Sequence, residues 1–354
     1  MADLSHKSAA APIVVNARYH VHHKTGMQRS AHEIASRLVG KVREIRPDRA
    51  LKGTAGHLWE QCYLPALAAG SLLWSPNNTG PIVTRRQVCT IHDIIPIDHP
   101  EWFSKSFSAW YQWLLPALAR SAQHLIAVSE FTRTRVIDAF GLKPEKVSVV
   151  LNGVGPEFTP RPEEEIARVK TRLGIGEQPY VLYVGSLEPR KNLARLVAAW
   201  TRIHSQCQDV QLVITGLNKG GSKVFAAVKI DKIPAGVFTG FVEDADLPAL
   251  YSGATAFVYP SLYEGFGLPP VEAMACGTPV ITSDGTSLSE VVGDAAVLVD
   301  PESADSIADA ILRVTASESL RSEMRRRGLE RARRFNWDDA AAGTWEILSR
   351  EAQS

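Results

Sequence analysis

Two carboxylates, Glu264 and Glu272, bracket the segment Glu264-Gly265-Phe266-Gly267-Leu268-Pro269-Pro270-Val271-Glu272. Gly265 and Gly267 let a ligand approach the backbone closely. Pro269-Pro270 pre-set the first turn of a helix, so Glu272 is expected to project from a helix N-terminus. Such a terminus attracts anions. The spacing suits a ligand with a phosphate between two hydroxyl-rich ends, each end held by one carboxylate as hydrogen-bond acceptor. The plainer alternative is a structural Gly-Pro turn before a helix.

A second constellation is Gly185-Ser186-Leu187-Glu188-Pro189-Arg190-Lys191-Asn192. Arg190 offers a bidentate fork and Lys191 a point charge, together able to neutralise a diphosphate, while Gly185 allows a tight turn. Paired cations on a solvated surface are the competing reading. Nearer the N-terminus, Gly26-Met27-Gln28-Arg29 and Ile91-His92-Asp93 each follow an expected strand. His92 either orients a sugar hydroxyl or shuttles a proton, or is a satisfied structural histidine. His20, His22 and His23 cluster near Lys24 but lack the cysteine or carboxylate that would complete a metal-ligand set, so a solvated loop is expected there. The first turn has no Gly-x-Gly-x-x-Gly fingerprint and the chain has no Gly-Lys-Ser/Thr loop, which weakens dehydrogenase and NTPase readings.

These residues need elements to hold them. Apolar runs at Ile13 to Ala17, Leu72 to Ser75, Val88 to Ile91, Leu125 to Ser129 and Val147 to Leu151 alternate with helical stretches, as in parallel β-α-β units. One of those helices is expected from about Gln28 to Val39; Lys41 to Gly70 is the least readable interval. Turn formers from Asn152 to Pro162 mark a linker. Beyond it, strands are expected at Tyr180 to Gly185, Val210 to Gly216, Gly236 to Phe241, Ala256 to Pro260 and Pro279 to Thr282. Helices are expected over Asn192 to His204, near Asp246 to Ser252, and from Pro269-Pro270 to a Gly277 cap. Both constellations then lie at strand carboxyl ends, where α/β proteins bind ligands.

With 354 residues and 45% hydrophobic content, two α/β domains are expected. A net charge of +1 gives no bulk attraction to nucleic acid, and none is expected as a partner. Cys62, Cys89, Cys207 and Cys276 lack metal or redox spacing and read as buried thiols in a reducing compartment. The stretch Met1 to Ala11 lacks a signal-peptide apolar region, and the expectation is a cytoplasmic chain. Trp102, Phe103, Phe107, Trp110, Tyr111 and Trp113 are expected mainly in core packing, with part of the segment able to receive an apolar chain. Arg321, Arg325, Arg326, Arg327, Arg331, Arg333 and Arg334 form a basic stretch broken by Glu323 and Glu330. A solvated helix face is its first reading and an anionic-lipid contact the second.

Taken together, the chain resembles the retaining glycosyltransferases of the GT-B fold, family four, over nearly its whole length. The residues from Tyr259 to Val280 look like that family's E-x7-E region with its flanks. Val15-Asn16-Ala17-Arg18, Thr25 to Arg29, Thr90-Ile91-His92-Asp93, Asn152-Gly153-Val154 and Gly185 to Asn192 are also similar. The resemblance implies two Rossmann-like parallel-sheet domains facing each other across a cleft. Residues 1–155 would form the acceptor-binding domain, 156–335 the nucleotide-sugar domain, and 336–354 a helix crossing back to the first.

By the same resemblance, Glu272 would hold the donor ribose and Glu264 the transferred sugar. Backbone N–H groups of Gly265, Phe266, Gly267 and Leu268 would meet sugar and phosphate oxygens. Gly185 and Ser186 would line the donor site, and Arg190 and Lys191 would stabilise the departing nucleoside diphosphate without a metal or other cofactor. His92 would lie near the donor sugar, and Gly26 would let the first loop approach the diphosphate. The implied donor is GDP-mannose, with UDP-glucose or another UDP- or dTDP-sugar as the alternative, since base-reading loops such as Thr215 to Lys219 are not legible. The implied acceptor is a saccharide on a polyprenyl diphosphate, used in surface polysaccharide synthesis, with peripheral contact at the cytoplasmic face of the inner membrane. A non-catalytic nucleotide-sugar-binding regulator and a two-domain epimerase are the readings from other classes.

Overall fold

The structure is a computed structural model that describes residues 11–21, 26–51, 53–207, 209–216 and 233–354. Its strands are β1 (Ile13–Asn16), β2 (Arg43–Ile45), β3 (Leu72–Ser75), β4 (Gln87–Ile91), β5 (His124–Ala127), β6 (Val147–Val149), β7 (Tyr180–Val184), β8 (Gln211–Thr215), β9 (Gly236–Gly240), β10 (Ala256–Tyr259), β11 (Val280–Ser283) and β12 (Ala296–Val299). They form two six-stranded sheets, in the orders β2-β1-β3-β4-β5-β6 and β12-β11-β10-β7-β8-β9. Every pairing is parallel. Parallel strands are covered on both faces by their crossover helices, which is why central strands such as β1, β3 and β10 are buried at every residue.

The chain divides into two compact units. Unit one contains the described residues up to Ile94, Ala109–Gly153 and Trp337–Ser354, and unit two contains Ile95–Ser108 and Val154–Asn336. The expected first domain, 1–155, therefore needs a correction: Ile95–Ser108 packs with unit two, and the division falls at Gly153 rather than Gly155. In unit one, the helix Trp337–Gln353 is fastened by Arg37 Nε to Asp338 at 2.7 Å and by Gln123 Nε2 to the Glu351 carbonyl at 2.9 Å. In unit two, the helix Leu193–Ile203 lays Leu196 and Trp200 on the sheet among Val181, Leu212, Val258 and Ile281. Each such fully buried aliphatic side chain stabilises by about 1.5–3 kcal/mol. The Trp200 indole N–H keeps a partner, the Pro234 carbonyl at 2.8 Å.

Two edge strands are absent from the sequence reading. β2 carries Arg43-Glu44-Ile45, and charges of this kind blunt a sheet edge and hide it from an apolar-run search. β12 edges the second sheet beyond β11, where the sequence series stops. The aromatic segment is not core: Trp102, Phe103, Phe107, Trp110 and Tyr111 are half-buried, and Trp113 is 51% exposed. Cys62 is also exposed, unlike the other three thiols.

The basic stretch lies on the helix Glu318–Ala332 and the residues after it. Arg321 pairs with Glu318, Arg326 with Glu323 and Glu330, and Arg327 with Glu323 and Asp294. Arg331 donates to the Val291 and Glu290 carbonyls. This is the solvated, internally paired face of the first reading. Among the described residues no helix is long and apolar enough to cross a membrane.

Candidate functional site

In the second sheet β7 and β10 are neighbours, joined in register at Ala256 with Val181 and Phe257 with Leu182. From β7 the order runs outward to β8 and β9, and from β10 outward to β11 and β12. The connections thus diverge between β7 and β10, and the crevice at a topological switch point is where doubly wound sheets take ligands. Both expected constellations fall there, Gly185 to Asn192 after β7 and Ser261 to Leu268 after β10.

The two turns are tied by backbone: Leu262 N donates to the Arg190 carbonyl at 2.7 Å. Asn192 takes a left-handed conformation, φ 57°, and its side-chain amide donates to the Pro260 and Pro301 carbonyls at 2.9 and 2.7 Å. Gly185 and Gly216 approach so closely that a Cβ on Gly216 would stand 2.8 Å from the Gly185 carbonyl oxygen.

Glu264 is the centre of the site. Its Oε1 receives Arg190 Nη1 at 2.8 Å, Lys191 Nζ at 2.6 Å, Tyr259 OH at 2.9 Å and Ser261 Oγ at 2.8 Å. Lys191 Nζ also donates to Tyr259 OH. Arg190 Nε reaches Glu188 Oε2 at 2.7 Å, and Ser186 Oγ donates to the other oxygen of Glu188. Burial alone would raise the Glu264 carboxyl, but Arg190, Lys191 and the hydrogen bonds from Lys191 and Ser261 outweigh it and hold the group at about 2. Burial and then Arg190 hold the Lys191 ammonium below its ordinary value, against Glu264. One carboxylate oxygen has only two lone pairs, so the donors that converge on Oε1 exceed what it can satisfy. An incoming anion would find those donors already desolvated and aimed.

Gly267 opens the helix Leu268–Ala275 at φ 96°, and a Cβ there would stand 2.4 Å from Leu288 Cδ2. The helix closes with Thr278 N on the Ala273 carbonyl at 2.9 Å and Gly277 N on the Met274 carbonyl at 3.0 Å, with Gly277 at φ 76°. That is a Schellman cap. Glu272 corrects the expectation of a helix N-terminus: it sits in the second turn, buried, with Oε2 accepting from Tyr251 OH at 3.2 Å. Phe266 is buried edge-on against Phe335 at 5.6 Å, so its ring serves packing while Gly265 and Gly267 leave the backbone bare.

His92 and Gly26 belong to unit one. Gly26 is exposed at the start of the helix Gly26–Arg37. His92 Nε2 lies 2.8 Å from the Pro76 carbonyl, and its backbone N–H donates to Asn78 Oδ1 at 2.6 Å. A carbonyl only accepts, so Nε2 carries the proton and Nδ1 is left as an acceptor. Burial pushes the imidazole down to about 4, against the Pro76 hydrogen bond. His22, His23, Lys24 and Thr25, and Leu217 to Lys219 of the loop expected to read the base, lie outside the described residues; His20 faces Glu44 at 3.3 Å. Among the described residues no group of three His, Cys, Asp or Glu is placed to hold a metal ion. Tyr259, Ser261, Glu188 and Tyr251 take part in the site without having been singled out by type; the only available signal was their closeness to the carboxylates in sequence or across the turn.

Residues 165–331 match the family model described as glycosyl transferases group 1, and residues 61–158 match that of glycosyltransferase family 4. O-antigen chain mannosyltransferase B of Escherichia coli is 35% identical over 272 residues, covering 76% of this chain and 71% of that protein. The chain belongs to the family 4 glycosyltransferases. This glycosyltransferase is also 28% identical, over 76% of its length, to the serotype-specific mannosyltransferase WbdA of Escherichia coli, but spans only 34% of that longer protein. Its fold is GT-B, similar to Anabaena Alr3699/HepE solved in complex with UDP-glucose, with TM-score 0.73 and 20% identity over 96% of this chain and 100% of that one.

Proposed function

We propose that this glycosyltransferase moves mannose from GDP-mannose to a saccharide acceptor, with retention of anomeric configuration and without a metal, in the synthesis of a surface polysaccharide. The observation that carries the reading is the meeting of Arg190, Lys191 and Glu264 at the β7/β10 switch point. The mannosyl choice is supported by relatives named as O-antigen mannosyltransferases. A polyprenyl diphosphate carrying the acceptor and a peripheral contact with the inner membrane belong to the same proposal.

In this reading Glu272 accepts from the donor ribose hydroxyls and Glu264 from a hydroxyl of the transferred sugar. The bare backbone from Gly265 to Leu268 meets sugar and phosphate oxygens. The bond between the anomeric carbon and the phosphate oxygen breaks as the acceptor oxygen bonds to the same face of that carbon. The acceptor proton passes to the departing phosphate. Arg190 and Lys191 stabilise the charge that develops on the diphosphate, and because they are buried and already oriented they need little reorganisation. His92 acts as a neutral acceptor through Nδ1 for a substrate hydroxyl rather than as a proton shuttle, since its other nitrogen is committed to Pro76.

The test is a thermal-shift panel of nucleoside diphosphates and nucleotide sugars, followed by transfer assays with NMR assignment of the product anomer. GDP-mannose should stabilise the fold by mass action and give an α-linked product. A stronger shift with a UDP-sugar overturns the donor, an inverted product overturns the mechanism, and binding without hydrolysis or transfer points to a regulator.

A further inference from the structure

Lys191 can stabilise a departing diphosphate only while it carries its proton, and its surroundings work against that. The side chain is buried beside the Arg190 guanidinium, and both burial and that like charge favour the neutral amine. Among the described residues, the titratable side chains that face it are Arg190 and Glu188 from its own turn, Tyr183 from β7, Tyr259 from β10 and Glu264 from the turn after β10. Glu188 is taken by Arg190 and Ser186, and Tyr183 OH reaches the Lys191 carbonyl, at 3.5 Å, rather than the ammonium. Glu264 Oε1 is 2.6 Å away but also receives Arg190, Tyr259 and Ser261.

Tyr259 meets the ammonium in two ways. Its hydroxyl accepts from Lys191 Nζ, and its ring lies with its centroid 4.8 Å from the same nitrogen, where the negative face of the ring attracts a cation. The hydroxyl also donates to Glu264 Oε1 at 2.9 Å. A phenol has one donor and two acceptor lone pairs, so one orientation serves both partners. Burial and then Glu264 push the phenol well above its ordinary value, so it stays neutral and keeps the proton that it donates. The side chain is also hard to displace: it is fully buried at the end of β10, its ring lies 5.7 Å from that of Phe257, and its backbone carbonyl accepts from Thr282 Oγ1 at 2.8 Å.

We propose that Tyr259 is a positioning residue for the transfer, whose hydroxyl and ring hold Lys191 as an ammonium aimed at the diphosphate while Glu264 is given over to the sugar. Its part in the transfer rests on the roles of Lys191 and Glu264 in the reading above; the hold on the ammonium does not.

The full chain is labelled with 13C at lysine Cε, and the Lys191 signal, identified by its loss in Lys191→Arg, is followed through the alkaline range without ligand. In Tyr259→Phe, which keeps the ring and removes the hydroxyl, Lys191 should titrate about one to two pH units lower than in the parent, the worth of one hydrogen bond to a charged group. The alkaline limb of kcat/KM for the donor, which reports the free enzyme, should move down with it. A hydroxyl that served packing alone would lower kcat/KM equally at every pH and leave Lys191 where it is. An unshifted Lys191 overturns the proposal, and so does a shifted Lys191 in an active enzyme whose alkaline limb stays in place. Should Tyr259→Phe fail to fold, the parent with 3-fluorotyrosine in place of tyrosine stands in: fluorinated phenols are poorer acceptors, and Lys191 should again titrate lower. If Lys191 shifts but no nucleotide sugar is turned over, the transferase reading fails and the hold on the ammonium stands. If transfer proceeds and Lys191 does not shift, the reverse holds.

Discussion

Arg190 and Glu264 lie 74 residues apart in sequence, yet Arg190 Nη1 meets Glu264 Oε1 at 2.8 Å because β7 and β10 are adjacent strands whose turns share a backbone hydrogen bond. The cation proposed to neutralise the diphosphate and the carboxylate proposed to hold the sugar are therefore one electrostatic unit. Each keeps the other charged in a buried place.

Removing both cations should be the most damaging change to turnover. Arg190→Ala/Lys191→Ala is expected to lower kcat at saturating donor by about 10²–10³-fold or more, the scale of losing a preorganised charge-stabilising donor. Steady-state kinetics check it. Near-normal turnover at saturating donor would remove these residues from the chemical step.

Glu264→Ala leaves Lys191 and Arg190 without their carboxylate in a buried site. A loss of about 3–5 kcal/mol in unfolding free energy is expected, as for other broken buried ion pairs. Urea denaturation followed by circular dichroism measures it, and an unchanged midpoint would mean that the cluster is solvated in solution.

The same carboxylate sets a pH dependence. Glu264 is held at about 2 in the folded chain against an ordinary value of 4.5, so its stabilisation is complete above pH 4.5 and is lost as pH falls toward 2. The parent should therefore lose stability across that window faster than Glu264→Gln. Parallel slopes would contradict the depressed value.

His92 has the opposite charge type and the same sign of slope. Its imidazole is pushed down to about 4 from 6.5, so the unfolded chain binds more protons between those values and stability drops as pH falls through them. A 15N NMR titration should report the Nε2–H tautomer at neutral pH and a transition near 4; a transition near 6.5 would contradict both its burial and its neutral role.

Gly267→Ala places a Cβ at φ 96° and 2.4 Å from the buried Leu288. A destabilisation of about 1–3 kcal/mol is expected from backbone strain alone. Thermal melting tests the cost, and donor titration tests whether the turn proposed to meet the phosphate is distorted with it.

Much of this was legible beforehand for physical reasons. Runs such as Leu72–Ser75 and Tyr180–Val184 are apolar at almost every position because parallel strands are buried on both faces, and nearly all the central strands announce themselves that way. Gly277 marked a helix end because only glycine takes the left-handed cap without strain. Arg43–Ile45 did not announce itself, since an edge strand is free to be charged. The aromatic segment misled because aromatic content signals packing without saying against what, and these rings are half-exposed.

By itself the sequence determined which residues can carry charge, bare backbone and hydroxyl-binding acceptors, and in what local turns they sit, since these follow from side-chain chemistry and short-range geometry. Only the tertiary structure decided that Glu264 is gripped by both cations, that Glu272 is buried beside Tyr251 in a second helical turn, and that Glu60 is buried between Asn16 and Thr79. Strand order, burial and hydrogen-bond satisfaction join positions tens of residues apart, and no periodicity along the chain encodes which strands become neighbours.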